Sequence, residues 1–150
     1  MNSEPVYEQT VRIDAPPETV FDLFSSAEAM ARWIGVTHEV DCRPGGAMRV
    51  DVTDGDIAVG TFEVVDRPHR VVFTWGWEAS TDVPPGSSTV EVSLRPEGAG
   101  TVLDFTHSGL PASAVESHGD GWRHYLERLV VATTGDPGPD PWVNTATEGT

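Results

Sequence analysis

The sequence predicts an α+β domain in which a run of antiparallel strands precedes one long helix. Short apolar runs with period-two alternation recur from residue 36 to residue 107, and tight turns such as Asp54-Gly55 separate them. From residue 113 onward the apolar residues instead recur every three, four and seven positions, which is the period of a helix with one buried face. Neighbouring strands joined by tight turns form an antiparallel sheet, and the long helix needs such a sheet to cover its apolar face.

The first third of the chain supplies an edge strand and two short helices. Residues 6–13 alternate in polarity, which predicts an edge or end strand. Pro16-Pro17 ends that strand and suits the first turn of a short helix. A second short helix is predicted to begin with a capping box, Ser25 with Glu28, and to close at Gly35.

The segment from residue 100 to residue 134 organises the rest of the sequence. Alternate residues of its strand share one predicted inward face: Thr101, Leu103, Phe105 and His107. The helix that follows presents one inward stripe: Val115, Gly119, Trp122, Leu126, Leu129, Val130 and Thr133. A capping box, Ser113 with Glu116, predicts where this helix begins, and Gly135 predicts where it ends.

Length and charge restrict the organisation and the partners. At 150 residues the chain fits one domain, which we place at residues 1–134, followed by an irregular, acidic, proline-rich tail at residues 135–150. Acidic residues outnumber basic ones by 24 to nine, and the formal net charge is −15. Such a surface repels phosphate, so we expect no nucleic-acid partner.

The sequence indicates neither membrane insertion nor export. No apolar stretch approaches the length of a membrane span, and the N-terminus has no signal-peptide pattern. A single cysteine, Cys42, excludes an intrachain disulfide, so we expect a cytoplasmic protein. Its like charge and the polar residues of the predicted outer sheet face favour a monomer or a weak homodimer; those residues are Thr89, Glu91, Ser93, Asp104 and Thr106.

A series of short sequence pieces runs in order along residues 5–134. Its members are Pro16-Pro17 to Val20-Phe21, Trp33, Asp41-Cys42-Arg43-Pro44-Gly45-Gly46, Gly60, Val72-Phe73-Thr74-Trp75, Ser88-Thr89-Val90, Gly100-Thr101, His107-Ser108-Gly109-Leu110 and Gly121-Trp122. The series resembles the helix-grip or START-like (SRPBCC) superfamily, and within it the family related to the C-terminal domain of the activator of Hsp90 ATPase. The resemblance implies a curved antiparallel sheet wrapped around the long C-terminal helix. It implies no single function, because this fold carries lipid binders, cyclases and co-chaperone domains.

Eight residues form the predicted ligand site: Trp33, Trp75, Trp77, Phe105, His107, His118, Gly119 and Trp122. Tryptophan offers an apolar body with one polar tip, which suits amphipathic ligands. Gly119 removes a side chain from the inward helix stripe, which indicates either a closely packed strand or a cavity. His107 is the main polar group of the predicted site; the simpler interpretation is a core histidine bonded to neighbouring groups.

We predict no catalytic residue, metal or cofactor. The histidines of the long helix, His118 and His124, lie six positions apart and therefore on different faces, which does not suit a zinc site with His107. The sequence contains no nucleophile elbow, zinc-protease, Walker or dinucleotide-binding motif.

These observations favour binding of a small hydrophobic or amphipathic molecule in a cavity between sheet and helix. One alternative is a co-chaperone or interaction module related to the Hsp90 activator. Because the resemblance is to one domain, and the chain has no room for the activator's separate N-terminal domain, we expect no stimulation of Hsp90 ATPase by this protein alone. A second alternative is a cyclase- or hydratase-like enzyme that uses His107.

Overall fold

The computed structural model describes residues 6–143 and contains a seven-stranded antiparallel sheet. The strands are β1 (Val6–Ile13), β2 (Thr37–Val40), β3 (Ala47–Asp51), β4 (Ile57–Asp66), β5 (Arg70–Trp75), β6 (Ser88–Glu97) and β7 (Gly100–Ser108). They lie in the order β1-β7-β6-β5-β4-β3-β2, so β2 to β7 form a meander and β1 pairs with the last strand. The prediction that β1 is an edge strand is confirmed.

Three helices accompany the sheet in the described part of the chain: α1 (Pro17–Asp22), α2 (Ala27–Met30) and α3 (Ala112–Ala132). The predicted α+β helix-grip arrangement, with two short helices after the first strand and a long C-terminal helix against a curved sheet, is confirmed. None of these three helices combines the length and the hydropathy that a bilayer span requires.

Neither predicted capping box is found: the α2 cap lies one residue later than predicted, and α3 has no side-chain cap. In α2 the hydroxyl of Ser26, not of Ser25, accepts a hydrogen bond from the Ala29 amide at 3.0 Å. In α3 the first flanking residue is Pro111, and no side chain caps the helix, so the predicted capping box at Ser113 is wrong. Pro111 has the extended backbone (φ −58°, ψ 148°) usual for the residue before a helix, and its carbonyl accepts a hydrogen bond from the Ala114 amide at 2.9 Å.

The hydrophobic core lies between the inner sheet face and α3. Thr101, Leu103, Phe105 and His107 are at most 1% exposed, which confirms the predicted inward face of β7. The buried residues of α3 are Gly119, Trp122, Tyr125, Leu126, Leu129 and Ala132. This packing fixes α3 against the sheet and thereby fixes the positions of the α3 side chains that do not face the core.

A glycine lets the chain turn closely after β5. A Cβ on Gly76 would lie 1.8 Å from the carbonyl oxygen of Pro84, so no larger residue fits there. The close approach places Trp77 just beyond the strand, where it pairs with Ala58 of β4 in an isolated bridge. Trp77 therefore stands beside the end of β5 on a segment with defined hydrogen bonding.

Residues 133–143 form no helix or strand, and Gly138, Asp140 and Trp142 of this segment contact α3. The Asp140 carboxylate accepts hydrogen bonds from Tyr125 Oη and His124 Nε2, each at 2.7 Å. The Trp142 ring stacks on His124 with centroids 4.0 Å apart. The sequence had indicated Trp142 as the only residue that attaches the tail to the domain. Residues 144–150 of the predicted tail lie outside the described residues, and the boundary at residue 134 stays a prediction.

Candidate functional site

A cleft of about 520 Å³ opens beside the end of β5. Its walls come from the residues after β5, the β3–β4 turn, one side of α3 and Trp142 of the tail. The floor is buried and apolar, since Trp75, Trp122, Tyr125 and Val52 are at most 4% exposed. The arrangement is an aromatic-floored cleft with an open rim, which suits a flat or extended apolar molecule.

One stripe of α3 faces the cleft. His118, Gly121, Trp122 and Tyr125 all line it, at the i, i+3, i+4 and i+7 spacing of a single helix face. Gly121 is the open position of the stripe, because a Cβ built there meets nothing within 4 Å. The missing side chain at Gly121 therefore leaves space in the cleft.

Trp77 and His118 form a hydrogen-bonded pair on the cleft wall. Trp77 Nε1 donates to His118 Nε2 at 2.8 Å, so the protonated nitrogen of the neutral imidazole is Nδ1, which donates to the Ala114 carbonyl at 2.8 Å. Burial lowers the pKa of His118, and the backbone hydrogen bond opposes this shift only in part. His118 is thus a neutral group held in one tautomer on the cleft wall.

Behind the cleft floor, a series of hydrogen bonds runs from Trp122 through His107 and Ser88 to the Trp75 carbonyl. Trp122 Nε1 donates to His107 Nδ1 at 2.9 Å, which leaves Nε2 as the protonated nitrogen, donating to Ser88 Oγ at 2.8 Å. The Ser88 hydroxyl donates in turn to the Trp75 carbonyl at 2.7 Å. Burial, and secondarily the repulsion that a protonated His118 would exert, lowers the pKa of His107 to about 3. His107 is 0% exposed, and both its nitrogens are bonded within the protein.

The indole N–H of Trp75 has no such partner. Among the buried side-chain nitrogen and oxygen atoms of residues 6–143, Trp75 Nε1 alone lacks a hydrogen-bond partner. Its ring is 2% exposed and forms part of the cleft floor. A buried donor without an acceptor is rare in folded proteins and disfavoured in energy.

The far wall of the cleft depends on the tail. Burial, then the hydrogen bond to Asp140, raises the pKa of Tyr125 above its ordinary value. For Asp140 burial acts to raise the pKa, but hydrogen bonds from the Trp142 amide, Tyr125 and His124 outweigh it, so the pKa is lowered. An ionised Asp140 thus holds both Tyr125 and Trp142 in place at the cleft.

The structure brings four of the eight predicted site residues together at the cleft: Trp75, Trp77, His118 and Trp122. Trp33 lies elsewhere in the core, 1% exposed, with Nε1 donating to the Leu23 carbonyl at 2.8 Å. Phe105 packs edge-on and tilted against Tyr7 and Trp122 behind the floor and does not line the cleft. His107 also lies behind the floor, because its hydrogen-bond partners come from β6 and α3 and enclose it.

Gly119 does not open a cavity. A Cβ on Gly119 would lie 2.7 Å from two ring carbons of Tyr7, so the missing side chain makes room for the ring from β1. Of the two readings the sequence allowed, close packing of a strand is the one found. The space at the cleft belongs to Gly121, two residues further along α3.

The cleft lining also includes residues that are not among the eight predicted, and Gly121, Tyr125, Val52, Ile34 and Trp142 are five of them. For Gly121 and Tyr125 a signal existed, since they stand three and seven positions after His118, on the same helix face. For Val52, Ile34 and Trp142 none existed, because they reach the cleft from other elements. Within residues 6–143, no three His, Cys, Asp or Glu side chains are grouped as metal ligands.

A seven-stranded antiparallel sheet, a long helix packed against it and an aromatic cleft beside that helix define a helix-grip domain. Residues 14–133 match the family described as activator of Hsp90 ATPase homolog 1-like protein, and the chain belongs to that family. No curated protein matches the chain.

Solved structures with the same fold include relatives of different descriptions. An AHSA1-like protein from Rhizobium etli is 43% identical, with a TM-score of 0.73, over 96% of this chain and 94% of that one. An Hsp90 activator from Plasmodium falciparum is 28% identical, with a TM-score of 0.72, over 84% of this chain and 94% of that one. DynU16, a protein of the dynemicin biosynthetic locus, is 26% identical, with a TM-score of 0.79, over 93% of this chain. The chain spans 51% of the length of DynU16.

Proposed function

We propose that this protein binds a small hydrophobic or amphipathic molecule in the cleft beside α3. The observation that carries the proposal is the cleft itself: about 520 Å³, with a floor formed by Trp75, Trp122 and Tyr125. Ligand sites in proteins enclose roughly 300–1,000 Å³ and are mostly apolar with a few polar groups. Burial of apolar ligand surface against these rings supplies the affinity, at about 25 cal/mol per Å² removed from water.

The rim favours a polar end on such a ligand. Glu78 and Ser80 lie at the mouth of the cleft with Asp56 from the β3–β4 turn. A ligand with an apolar body and a polar head keeps the head at this rim in contact with water, while its body covers the aromatic floor. An anionic head is disfavoured there, because the rim carboxylates and a net charge of −15 repel it.

A neutral fluorescent probe, N-phenyl-1-naphthylamine, tests whether the cleft takes up apolar molecules. We expect saturable binding to the wild-type protein and to Gly121→Ala, whose added methyl group leaves the cleft open. Gly121→Leu places a branched side chain in the open position and is expected to weaken binding at least about tenfold, or 1.4 kcal/mol. Both substitutions raise helix propensity, so neither is expected to lower the stability of α3.

The comparison of the two Gly121 variants tests whether the probe binds in the cleft. Thermal unfolding of each variant confirms that the fold is intact before binding is compared. If Gly121→Leu and Gly121→Ala bind the probe equally, the probe does not occupy the cleft. If no variant and no wild-type protein binds it, the proposed function is wrong.

A role as a co-chaperone or interaction module is the second candidate. It is supported by the family description and by the likeness to an Hsp90 activator from Plasmodium falciparum. We expect no stimulation when this protein alone is titrated into Hsp90 and ATP turnover is measured, since the resemblance seen in the sequence is to the C-terminal domain of the activator alone. A saturable rise in turnover would establish the co-chaperone role instead.

The geometry does not favour the enzyme alternative based on His107. A general acid or base must reach the proton that it transfers. His107 is 0% exposed, and its two nitrogens are occupied by Trp122 and Ser88. We therefore assign His107 to the support of the cleft floor.

A further inference from the structure

We propose that the ligand of the cleft is an organic cation, with an apolar body and a substituted ammonium head that lies at the end of the cleft where Asp56, Tyr125 and Trp142 meet. The inference rests on the proposed binding function and goes beyond it, because it names the charge of the ligand and the carboxylate that selects it.

The first support is the charge balance of the two carboxylates that line the cleft, Asp56 and Glu78. Glu78 accepts a hydrogen bond from the Arg49 guanidinium at 3.0 Å and is therefore paired with a cation. Asp56 accepts a hydrogen bond from the Thr53 hydroxyl, and none of the salt bridges within residues 6–143 includes it. The described residues that line the cleft include no arginine, and the sequence contains no lysine. Asp56 is thus a negative charge at the cleft that no basic side chain of the described residues neutralises.

The second support is that aromatic rings lie at the same end of the cleft as Asp56. Burial and the hydrogen bond to Asp140 are the largest causes of the raised pKa of Tyr125, and the charge of Asp56 raises it further, which places Asp56 near the Tyr125 hydroxyl. The Trp142 and Tyr125 rings lie 6.0 Å apart between centroids, and both residues line the cleft. A cation within about 6 Å of a ring centroid is attracted to the face of the ring. The carboxylate and the two rings therefore offer two kinds of attraction to one ammonium head.

The Trp142 ring has accessible surface for such a head. One of its faces stacks on the His124 imidazole, with centroids 4.0 Å apart and the planes 8° from parallel. The residue is nevertheless 46% exposed. The guanidinium groups that lie over rings within residues 6–143 are those of Arg67 and Arg123, and their rings are outside the cleft. A cation of the protein therefore does not compete for the exposed part of Trp142.

The charges behind this end of the cleft offset each other. The charge of Asp140 raises the pKa of Tyr125 and the charge of Arg128 lowers it, so both act at the same place. Arg128 is held there by hydrogen bonds to two backbone carbonyls. Neither residue lines the cleft. Because these two charges have opposite signs, Asp56 determines the sign of the local charge that a ligand meets.

Three naphthalene compounds that differ only in the head group isolate the charge of the ligand. They are naphthylmethyl-trimethylammonium, its neutral carbon isostere neopentylnaphthalene, and naphthylmethanesulfonate, all substituted at the same ring position. Dissociation constants are measured by NMR titration of ¹⁵N-labelled wild-type protein, Asp56→Asn and Asp54→Asn. The quantity compared between the proteins is the preference for the cation over the neutral isostere, because the different solubilities of the two compounds cancel in that comparison.

Asp54→Asn is the matched control for Asp56→Asn. It removes the same charge from the same turn between β3 and β4, but Asp54 does not line the cleft. Asp54 has a φ of 64°, and asparagine tolerates that conformation as aspartate does. The control therefore separates the charge at the cleft from the net charge of the protein.

We expect the preference for the cation over the isostere to fall about fivefold in Asp56→Asn and to stay within about twofold of wild type in Asp54→Asn. The wild-type protein is expected to bind the ammonium compound at least about tenfold more tightly than the sulfonate. A methyl group above an aromatic face is shielded, so the N-methyl proton signal is expected to move upfield on binding. These two measurements need no variant, so they stand even if Asp56→Asn does not fold.

The outcomes separate this inference from the proposed function. If the compounds bind with the same preference in all three proteins, or the sulfonate binds as tightly as the ammonium compound, the cleft binds ligands but does not select cations. If Asp54→Asn lowers the preference as much as Asp56→Asn, the net charge attracts the cation and Asp56 does not select it. If the neutral naphthylamine probe binds and the ammonium compound does not, the ligand class is wrong. If none of these molecules binds, the proposed function fails together with the inference.

Discussion

Lowering the pH from 7.5 to 4.5 is expected to remove about 3 kcal/mol of folding free energy through His107 alone. Burial, and then His118, lowers the pKa of His107 in the folded protein to about 3, from an ordinary value of 6.5. Between these values the unfolded chain binds a proton that the folded protein does not bind. Stability from this group is therefore complete above pH 6.5 and is lost as the pH falls toward 3.

The magnitude follows from the distance in pH below 6.5. Each pH unit costs about 1.4 kcal/mol per proton, so the two units from 6.5 to 4.5 give about 2.7 kcal/mol. The structural cause is specific: a charged imidazole can no longer accept from Trp122 at Nδ1, and its added proton faces a buried indole N–H.

Urea unfolding at pH 7.5, 6.5, 5.5 and 4.5, followed by tryptophan fluorescence, measures the effect. His107→Gln removes the titrating group, so its free energy of unfolding is expected to fall less steeply with acid, by about 1.4 kcal/mol per pH unit. His69→Gln is the matched control, because His69 is exposed on the turn between β4 and β5. The carboxylates common to all three proteins cancel in the comparison. Equal pH dependence for wild type and His107→Gln would show that His107 is not a neutral buried histidine.

Three further substitutions test the packing of α3, the tail and the core. Gly119→Leu is expected to lower stability by about 1–2 kcal/mol in thermal unfolding, because the new side chain collides with Tyr7 and helix propensity offsets only part of the strain; an unchanged melting temperature would contradict that packing. Asp140→Asn weakens the hydrogen bond to Tyr125 and is expected to speed proteolysis of the tail roughly tenfold. An unchanged rate of proteolysis would show that Asp140 does not attach the tail to α3. Trp33→Phe is expected to cost about 2–3 kcal/mol in urea unfolding, from a lost hydrogen bond and lost volume, and to leave probe affinity within about twofold; a large loss of affinity would place Trp33 at the cleft.

Strand periodicity determined much of the sheet in advance. The alternation of residues 101–107 predicted which side chains of β7 are buried, and each of the four inward residues is at most 1% exposed. Alternation works here because side chains of a strand point to opposite faces at every step, so parity indicates which of them face the core. The turn signal at Asp54-Gly55 likewise placed a connection where β3 and β4 are joined.

The cleft was only partly accessible to the same reasoning. Helix periodicity places Gly119 on the inward stripe of α3 and Gly121 about 200° around the helix from it, but it does not show what stands opposite each of them. Tyr7 of β1 fills the space at Gly119, whereas nothing lies within 4 Å of a Cβ at Gly121. That difference arises from the lateral position of α3 over the sheet, which is a property of long-range packing.

Sequence by itself determined the α+β class, the order of the elements, the inward faces of the strands and four of the residues that line the cleft, because these depend on local periodicity and on short-range turn chemistry. Only the tertiary structure decided that His107 supports the floor instead of lining it, since its partners Ser88 and Trp122 come from different elements. Only it showed that Trp142 lines the cleft and that, among the buried side-chain nitrogen and oxygen atoms of residues 6–143, Trp75 Nε1 alone has no hydrogen-bond partner. Hydrogen-bond satisfaction is a sum over neighbours brought together by folding, and no pattern along the chain reports it.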